Sequence, residues 1–210
     1  FSCCEPPPTA MPASNDKCKP HEGFFERLYS FPGGAPWDIK KPQDELRSAI
    51  ERGEILGPRV LDVGCGAGDN AVLLAASGFQ VTAFDSAASS VRLSRERAAA
   101  AGSLPGSVRV VQADVFNVVN VAEIGEVPGF DTAIDSAVFH CIGNDDVQER
   151  YVAVLAQCVR KGGRLLLHAL SDRNPDPWTA PPRRISEAHA RRMLCEERGW
   201  RVEAPPLRAS

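Results

Sequence analysis

The chain's 210 residues make one full-sized domain and leave little for a second, so a single site is expected. A composition of 43% hydrophobic and 24% charged residues can bury a sizeable core, which excludes disorder throughout. The 24 basic and 27 acidic residues leave a formal net charge of −3, so no long-range attraction gathers the chain on nucleic acid, and small molecules are the expected partners.

No apolar run approaches the roughly 18 to 20 residues that span a bilayer, so no membrane partner is expected. The 7 cysteines (Cys3, Cys4, Cys18, Cys65, Cys141, Cys158, Cys195) are odd in number, and no two have the C-x-x-C spacing of a redox or zinc site. Free thiols, no metal and a cytoplasmic location are the reading. The chain begins at Phe1, which leaves any targeting segment unread, and no pattern speaks to oligomeric state.

Residues 1–20 hold Pro6, Pro7, Pro8, Pro12 and Pro20 among small and polar residues, which predicts a flexible arm. Residues 21–58 read as a helical cap with a Trp-Asp loop. Aromatic and aliphatic residues recur at helical spacing over Phe24 to Tyr29, Pro32 to Pro36 force a turn before Trp37, and Leu46 and Ile50 mark one face of a helix over Pro42 to Arg52. The core is expected over residues 59–204. Its strands are predicted at Arg59 to Val63, Gln80 to Phe84, Val108 to Gln112, Asp131 to Asp135 and Arg164 to Leu170, with helices at Asn70 to Ser77, Ala88 to Ala101 and Val147 to Val159 between them. That alternation defines an α/β fold, a doubly wound, mainly parallel sheet with helices on both faces. A helix opening at Ser186 and an edge strand around Trp200 to Glu203 follow, and residues 205–210 form a tail.

The segment Asp62-Val63-Gly64-Cys65-Gly66-Ala67-Gly68-Asp69 leaves the first strand and enters a helix, where a doubly wound sheet binds nucleotide-like ligands. Glycines 64, 66 and 68 let a ligand approach the backbone, and the helix start offers N–H groups to an anionic group. A dinucleotide fingerprint needs its third glycine at position 69, where this chain has an aspartate that opposes a pyrophosphate, so nicotinamide and flavin cofactors are disfavoured. Asp85, 21 residues after Gly64, ends the second strand and suits the two hydroxyls of a ribose. Asp114 at the third strand end suits an exocyclic amine, with Val115 against a base edge; adenine satisfies both.

With these residues the chain resembles the class I S-adenosylmethionine-dependent methyltransferases, whose motifs match Asp62 to Gly68, Asp85, Asp114 and Asp131 to Ser136 in order, over about Trp37 to Glu203. The resemblance implies a Rossmann-like methyltransferase fold with S-adenosylmethionine as cofactor and S-adenosylhomocysteine as product. It places Gly64, Cys65, Gly66 and Gly68 at the methionine part, Asp85 at the ribose, and Asp114 with Val115 at the adenine; Asp62, Ser86 and Asp135 join the cofactor-binding set. Pro36-Trp37-Asp38-Ile39 followed by Pro42-Gln43 is similar to a segment of small-molecule methyltransferases related to the thiopurine, thiol and halide enzymes, and to bacterial enzymes that O-methylate hydroxyquinolines and phenols. Trp37 then either covers the cofactor or plugs the end of the sheet, and in those relatives a glycine commonly stands where this chain has Lys40. Members usually finish the sheet with an antiparallel strand after the segment matching Trp200. Only 7 residues follow Glu203, so that strand is expected to be truncated.

Methyl transfer from a sulfonium is an in-line displacement that needs a dry, oriented pocket more than special catalytic groups. A hydroxyl acceptor benefits from a base, and His140, after the fourth strand, is the candidate. Tyr29, Phe139, His140 and Trp178 are the candidate substrate residues, the last on a Pro-rich loop over Ser171 to Arg184 that reads as a lid. His168, inside an apolar strand, reads as structural; Cys141 and Cys65 carry no activating partner, and no covalent mechanism is proposed. The sequence thus points to methyl transfer to a hydroxyl or thiol of a small molecule. The alternatives are a thiol or halide methyltransferase without a base, and a cofactor-binding scaffold without catalysis.

Overall fold

The computed structural model describes residues 23–30, 35–125, 129–174 and 182–203. The predicted arm, the tail and Trp178 lie outside the described residues. Helices α1 (Phe24–Ser30) and α2 (Asp44–Glu51) precede the sheet. The alternating core then runs β1 (Arg59–Val63), α3 (Asp69–Ala76), β2 (Gln80–Asp85), α4 (Ala88–Ala100), β3 (Ser107–Gln112), α5 (Ala122–Gly125), β4 (Phe130–Ser136), α6 (Asp145–Cys158) and β5 (Val159–His168), with α7 (Glu187–Met193) behind it. The strands lie in the order β3-β2-β1-β4-β5 and every pairing is parallel. The order reverses at β1, and a crevice forms outside the carboxyl ends of the strands at such a switch point.

Alternation along each strand splits the core in two, because successive side chains face opposite sides of a sheet. Val60, Val81, Ala83, Val110 and Ile134 pack with Leu46 of α2, Ala71 and Leu74 of α3 and Val91 of α4. Their neighbours Leu61, Val63, Phe84 and Ala133 pack on the opposite side with Tyr151, Val152 and Leu155 of α6 and Met193 of α7. A smaller cluster of Phe24, Leu28, Tyr29, Ala35, Ala67 and Ala87 lays α1 over the strand tips. The helix starts follow their caps: Asn144 accepts from the Val147 N–H at 3.1 Å and Ser186 from the His189 N–H at 3.0 Å.

Two sequence expectations change. The fifth strand begins at Val159 rather than Arg164, with an irregularity against Phe130 and Thr132; Gly162 and Gly163 hide this start from a hydrophobic pattern. Trp200 to Glu203 is not a strand. A single turn over Glu196–Arg198 ends at Gly199, and the Trp200 indole N–H donates to the Val152 carbonyl at 2.8 Å, anchoring the ring on α6. Among the described residues no antiparallel strand is present, and no helix is long and apolar enough to cross a membrane.

Candidate active site

The turn after β1 is shaped by backbone that side chains rarely adopt. Gly64 and Gly66 have φ of 58° and 55°, and a Cβ at Gly66 would lie 2.6 Å from the Tyr29 hydroxyl, while one at Gly64 would run into Val138. At Gly68 a Cβ would meet the Ser94 backbone at 2.9 Å, so this third glycine serves the close approach of α3 to α4. The turn is fastened to the tip of β2: the Cys65 N–H donates to the Phe84 carbonyl at 2.9 Å, the Gly66 N–H to Asp85 Oδ2 at 3.1 Å, and the Ser90 hydroxyl to the Gly66 carbonyl at 2.8 Å. Asp85 Oδ1 accepts from the Ala87 N–H at 2.9 Å, which fixes the carboxylate at the strand end.

A cavity of about 1310 Å³ opens over these strand tips. Of the sequence-predicted residues it brings together Tyr29, Trp37, Asp62, Gly64, Cys65, Gly66, Gly68, Asp85, Ser86, Asp114, Val115 and His140 on one wall system. Asp114 also accepts from the Phe116 N–H at 2.7 Å, capping a short turn over Val115–Asn120. Two predicted residues are not in the cavity. Asp135 is fully buried behind it, where it accepts the Val138 and Phe139 N–H groups at 2.8 and 3.0 Å and the Tyr151 hydroxyl at 2.7 Å. Phe139 is turned into the core against Tyr151 and His189. The cause is local: Ala137 takes a φ of 71° after β4, and the following single turn sends Phe139 inward and His140 toward the cavity.

The cavity floor is acidic and starved of counter-charge. Asp62 is 1% exposed, and its Oδ2 has no hydrogen-bond partner among the described residues. Burial, with Asp85 and Asp135 nearby, pushes its pKa up to about 7; burial also raises Asp85, and lifts Asp135 to about 6. An orphaned carboxylate oxygen beside a glycine cradle fits a cationic ligand bearing N–H donors, and opposes a pyrophosphate.

The roof comes from the cap. The Trp37 indole donates to the Tyr29 hydroxyl at 3.0 Å, and its ring meets Phe24, Phe25 and Tyr29 at centroid distances of 6.4, 5.7 and 6.0 Å. Tyr29, expected on the substrate side, stands instead over the Gly66 turn, and burial keeps its phenol un-ionised. Next to Trp37, Asp38 accepts from the Lys40 N–H at 3.0 Å, the Lys40 ammonium at 2.9 Å and the Arg97 guanidinium at 3.0 Å; Arg97 also pairs with Asp69. Lys40 has a φ of 57°, which is the conformation a glycine accepts most readily at this point. Arg97 was not legible as a site residue, because its two carboxylates lie 59 and 28 positions away.

At the β4 and β5 tips, His140 is 6% exposed and its Nδ1 accepts the Leu170 N–H at 2.9 Å. The ring's one proton, assigned from this bond, therefore sits on Nε2. Burial and the neighbouring His168 push the pKa of His140 down to about 4. Such a ring has no free lone pair facing a substrate, so its geometry is that of a donor rather than a base. Cys141 lines the same end, with burial raising its pKa to about 12, and Val121, Ile142 and Val147 add apolar surface that the sequence reading did not assign.

Comparison with known proteins bears on these features together. Residues 60–163 match the methyltransferase domain family. The chain is 28% identical over 173 residues to the 2-heptyl-1-hydroxyquinolin-4(1H)-one methyltransferase of Mycobacteroides abscessus, covering 80% of this chain and 69% of that protein. It is 31% identical over 145 residues to the ubiquinone biosynthesis O-methyltransferase of Xanthomonas euvesicatoria pv. vesicatoria, covering 64% of this chain and only 56% of that protein. A solved structure from work on the conversion of a disulfide bond into a thioacetal group during echinomycin biosynthesis matches with a TM-score of 0.68 at 29% identity, covering 83% of this chain and 77% of the other. The magnesium protoporphyrin IX methyltransferase of Synechocystis PCC 6803, with S-adenosylmethionine bound, shares the fold at a TM-score of 0.62 and 20% identity, covering 89% of this chain and 87% of that chain.

The fold and the strand-tip crevice are those of an enzyme that works on a nucleoside-like cofactor. The chain belongs to the class I S-adenosylmethionine-dependent methyltransferases and uses S-adenosylmethionine.

Proposed function

We propose that the enzyme methylates a hydroxyl or thiol of a small molecule by in-line displacement. The observation that carries this reading is the row of acidic groups at successive strand tips, Asp62 on β1, Asp85 on β2 and Asp114 just past β3, beside a glycine turn, with Asp62 Oδ2 unpartnered among the described residues. On this reading Asp62 and the turn over Gly64 to Gly68 hold the methionine part, Asp85 and Ser86 the ribose, and Asp114 with Val115 the adenine. Trp37 and Tyr29 close over it, with residues 21–58 acting as the cap on the core. When bound, the cofactor supplies an electrophilic methyl group on a sulfonium.

The remaining end of the cavity, at the β4 and β5 tips, then receives the acceptor, which lies on the far side of the methionine part from the adenine. Its walls from Val138, Cys141, Ile142, Val147 and Leu170 exclude water and orient the nucleophile. His140 takes the role of hydrogen-bond donor in place of the base. The relatives named for a hydroxyquinolone and for O-methyl transfer favour oxygen as the nucleophile. The test is a panel of phenols, thiols, amines and halides with labelled cofactor: methylated phenols or thiols are expected, and turnover confined to amines or halides, or none with S-adenosylhomocysteine still bound, overturns the proposal.

A further inference from the structure

His168 ends β5 and pairs in register with Ser136 of β4, so its ring stands at the strand tips beside His140, and both rings line the cavity. The two are close enough that charge on His168 bears on the titration of His140. Nδ1 of His168 is buried and makes no hydrogen bond among the described residues. An orphaned buried N–H is harder to tolerate than an orphaned lone pair, so the neutral ring keeps its proton on Nε2. In His140 the Leu170 N–H enforces the same tautomer. Two neighbouring imidazoles, each tied or blinded at Nδ1, are thereby left with Nε2–H as their only donors.

We propose that His168 and His140 together form a two-donor site for the acceptor's nucleophilic atom, selecting acceptors that attack as anions; this rests on the hydroxyl or thiol reading above. Other charged groups around the pair are already engaged. Asp135 lies behind the turn with its carboxylate taken up by Tyr151 and two backbone N–H groups. Arg183, whose N–H donates to the His140 carbonyl at 3.1 Å, sends its guanidinium to Asp145 at 2.6 Å. Two N–H donors favour the ionised form of a phenol or thiol and lower its pKa. The acceptor releases its proton to bulk water as it enters the pocket and keeps the electron pair on oxygen or sulfur. It uses that pair for the new bond to carbon, while the pair of the breaking carbon–sulfur bond remains on the departing thioether. No protein base is consumed. An amine acceptor gains nothing from such a site, because a donor occupies the very lone pair it must attack with.

The test compares the wild type with His168→Leu, which removes the donor, and His168→Gln, whose amide N–H reaches a similar depth. The direct readout is the ultraviolet absorbance of a nitrophenol bound in the presence of S-adenosylhomocysteine. Its apparent pKa should fall by roughly one unit in the wild type and in His168→Gln, but not in His168→Leu. In turnover, His168→Leu should lose roughly 10- to 100-fold in kcat/KM on weakly acidic phenols and far less on phenols already ionised at the assay pH. Unchanged S-adenosylhomocysteine affinity in both variants reports an intact fold. A bound nitrophenol pKa that His168→Leu does not move, or an equal loss across all phenols, overturns the inference while leaving hydroxyl methylation standing. Wild-type turnover confined to amines or halides overturns both.

Discussion

On the proposed reading Asp62 couples the pH stability of the ligand-free enzyme to its hold on the cofactor, and Asp62→Asn should move the two in opposite directions. Its carboxyl titrates near pH 7 in the folded chain against 3.8 without burial, a rise of about three units, equivalent to at most about 4 kcal/mol. The sign follows from the direction. A carboxyl whose pKa is raised by folding contributes stability that is fully present below about pH 4 and is lost as pH rises through about 7. The repulsion shared with Asp85 and Asp135 makes the full figure an upper bound. Asparagine has a similar shape and cannot ionise. At pH 8 the ligand-free variant should therefore melt higher than wild type, by up to roughly 10 °C for a domain of this size, and should flatten the fall in Tm between pH 5 and 8. Its affinity for S-adenosylhomocysteine should drop about tenfold to a hundredfold, since a charge-assisted hydrogen bond becomes a neutral one. In the wild type, affinity should rise with pH through about 7, with proton release visible in calorimetry as a dependence on buffer ionisation enthalpy. A variant whose Tm tracks the wild-type pH profile, or which binds S-adenosylhomocysteine as tightly, refutes the placement of Asp62 beneath the cofactor's ammonium.

Three further outcomes follow from the same geometry. Trp37→Ala removes a ring that is 42% exposed, so it should leave Tm within about 2 °C while weakening S-adenosylhomocysteine binding about tenfold in calorimetry. Arg97→Met unties Asp38 from Asp69 and should raise KM for the cofactor several-fold with a smaller change in kcat, measured in steady state at saturating acceptor. Tyr151→Phe takes one donor from the buried Asp135 and should cost about 1 to 3 kcal/mol in urea denaturation at pH 7.5, without altering cofactor affinity.

The sheet was legible because its central strands β1, β2 and β4 are buried and all five read as short apolar runs between helices. The end proposed for the cofactor was legible as a cavity wall for a related reason: a chain that climbs a strand and turns at its tip leaves the next residue in the crevice, so Asp62, Asp85 and Asp114 could be placed there by counting. The acceptor end obeys no such count. Asp135 and Phe139 were misplaced because Ala137 adopts a left-handed backbone that no glycine advertises, and one such residue redirects the three that follow. Trp200 to Glu203 alternates like a strand, yet an indole bonded to a helix carbonyl overrides the pattern. Arg97 and His168 matter through partners remote in sequence, and periodicity is silent about those.

This division has a consequence for how the enzyme divides its labour. In the strand order β3-β2-β1-β4-β5 the carboxylates occupy one half of the tips and the two histidines the other, with the reversal at β1 between them. On the proposed reading Asp62 holds the cofactor's ammonium on one side and the N–H donors hold the acceptor's anion on the other, with the sulfonium between them. Methyl transfer neutralises the sulfonium and the nucleophile while the ammonium keeps its charge, so the acceptor half loses its anion on reaction and releases its product more readily than it held its substrate. Asp62→Asn and His168→Leu act on different charges, the ammonium and the nucleophile, so their losses in kcat/KM should multiply, the double variant losing about the product of the two single losses. A double variant that loses far less than that product would mean that the two halves share one interaction, and would refute the separate placement of ammonium and nucleophile on either side of β1.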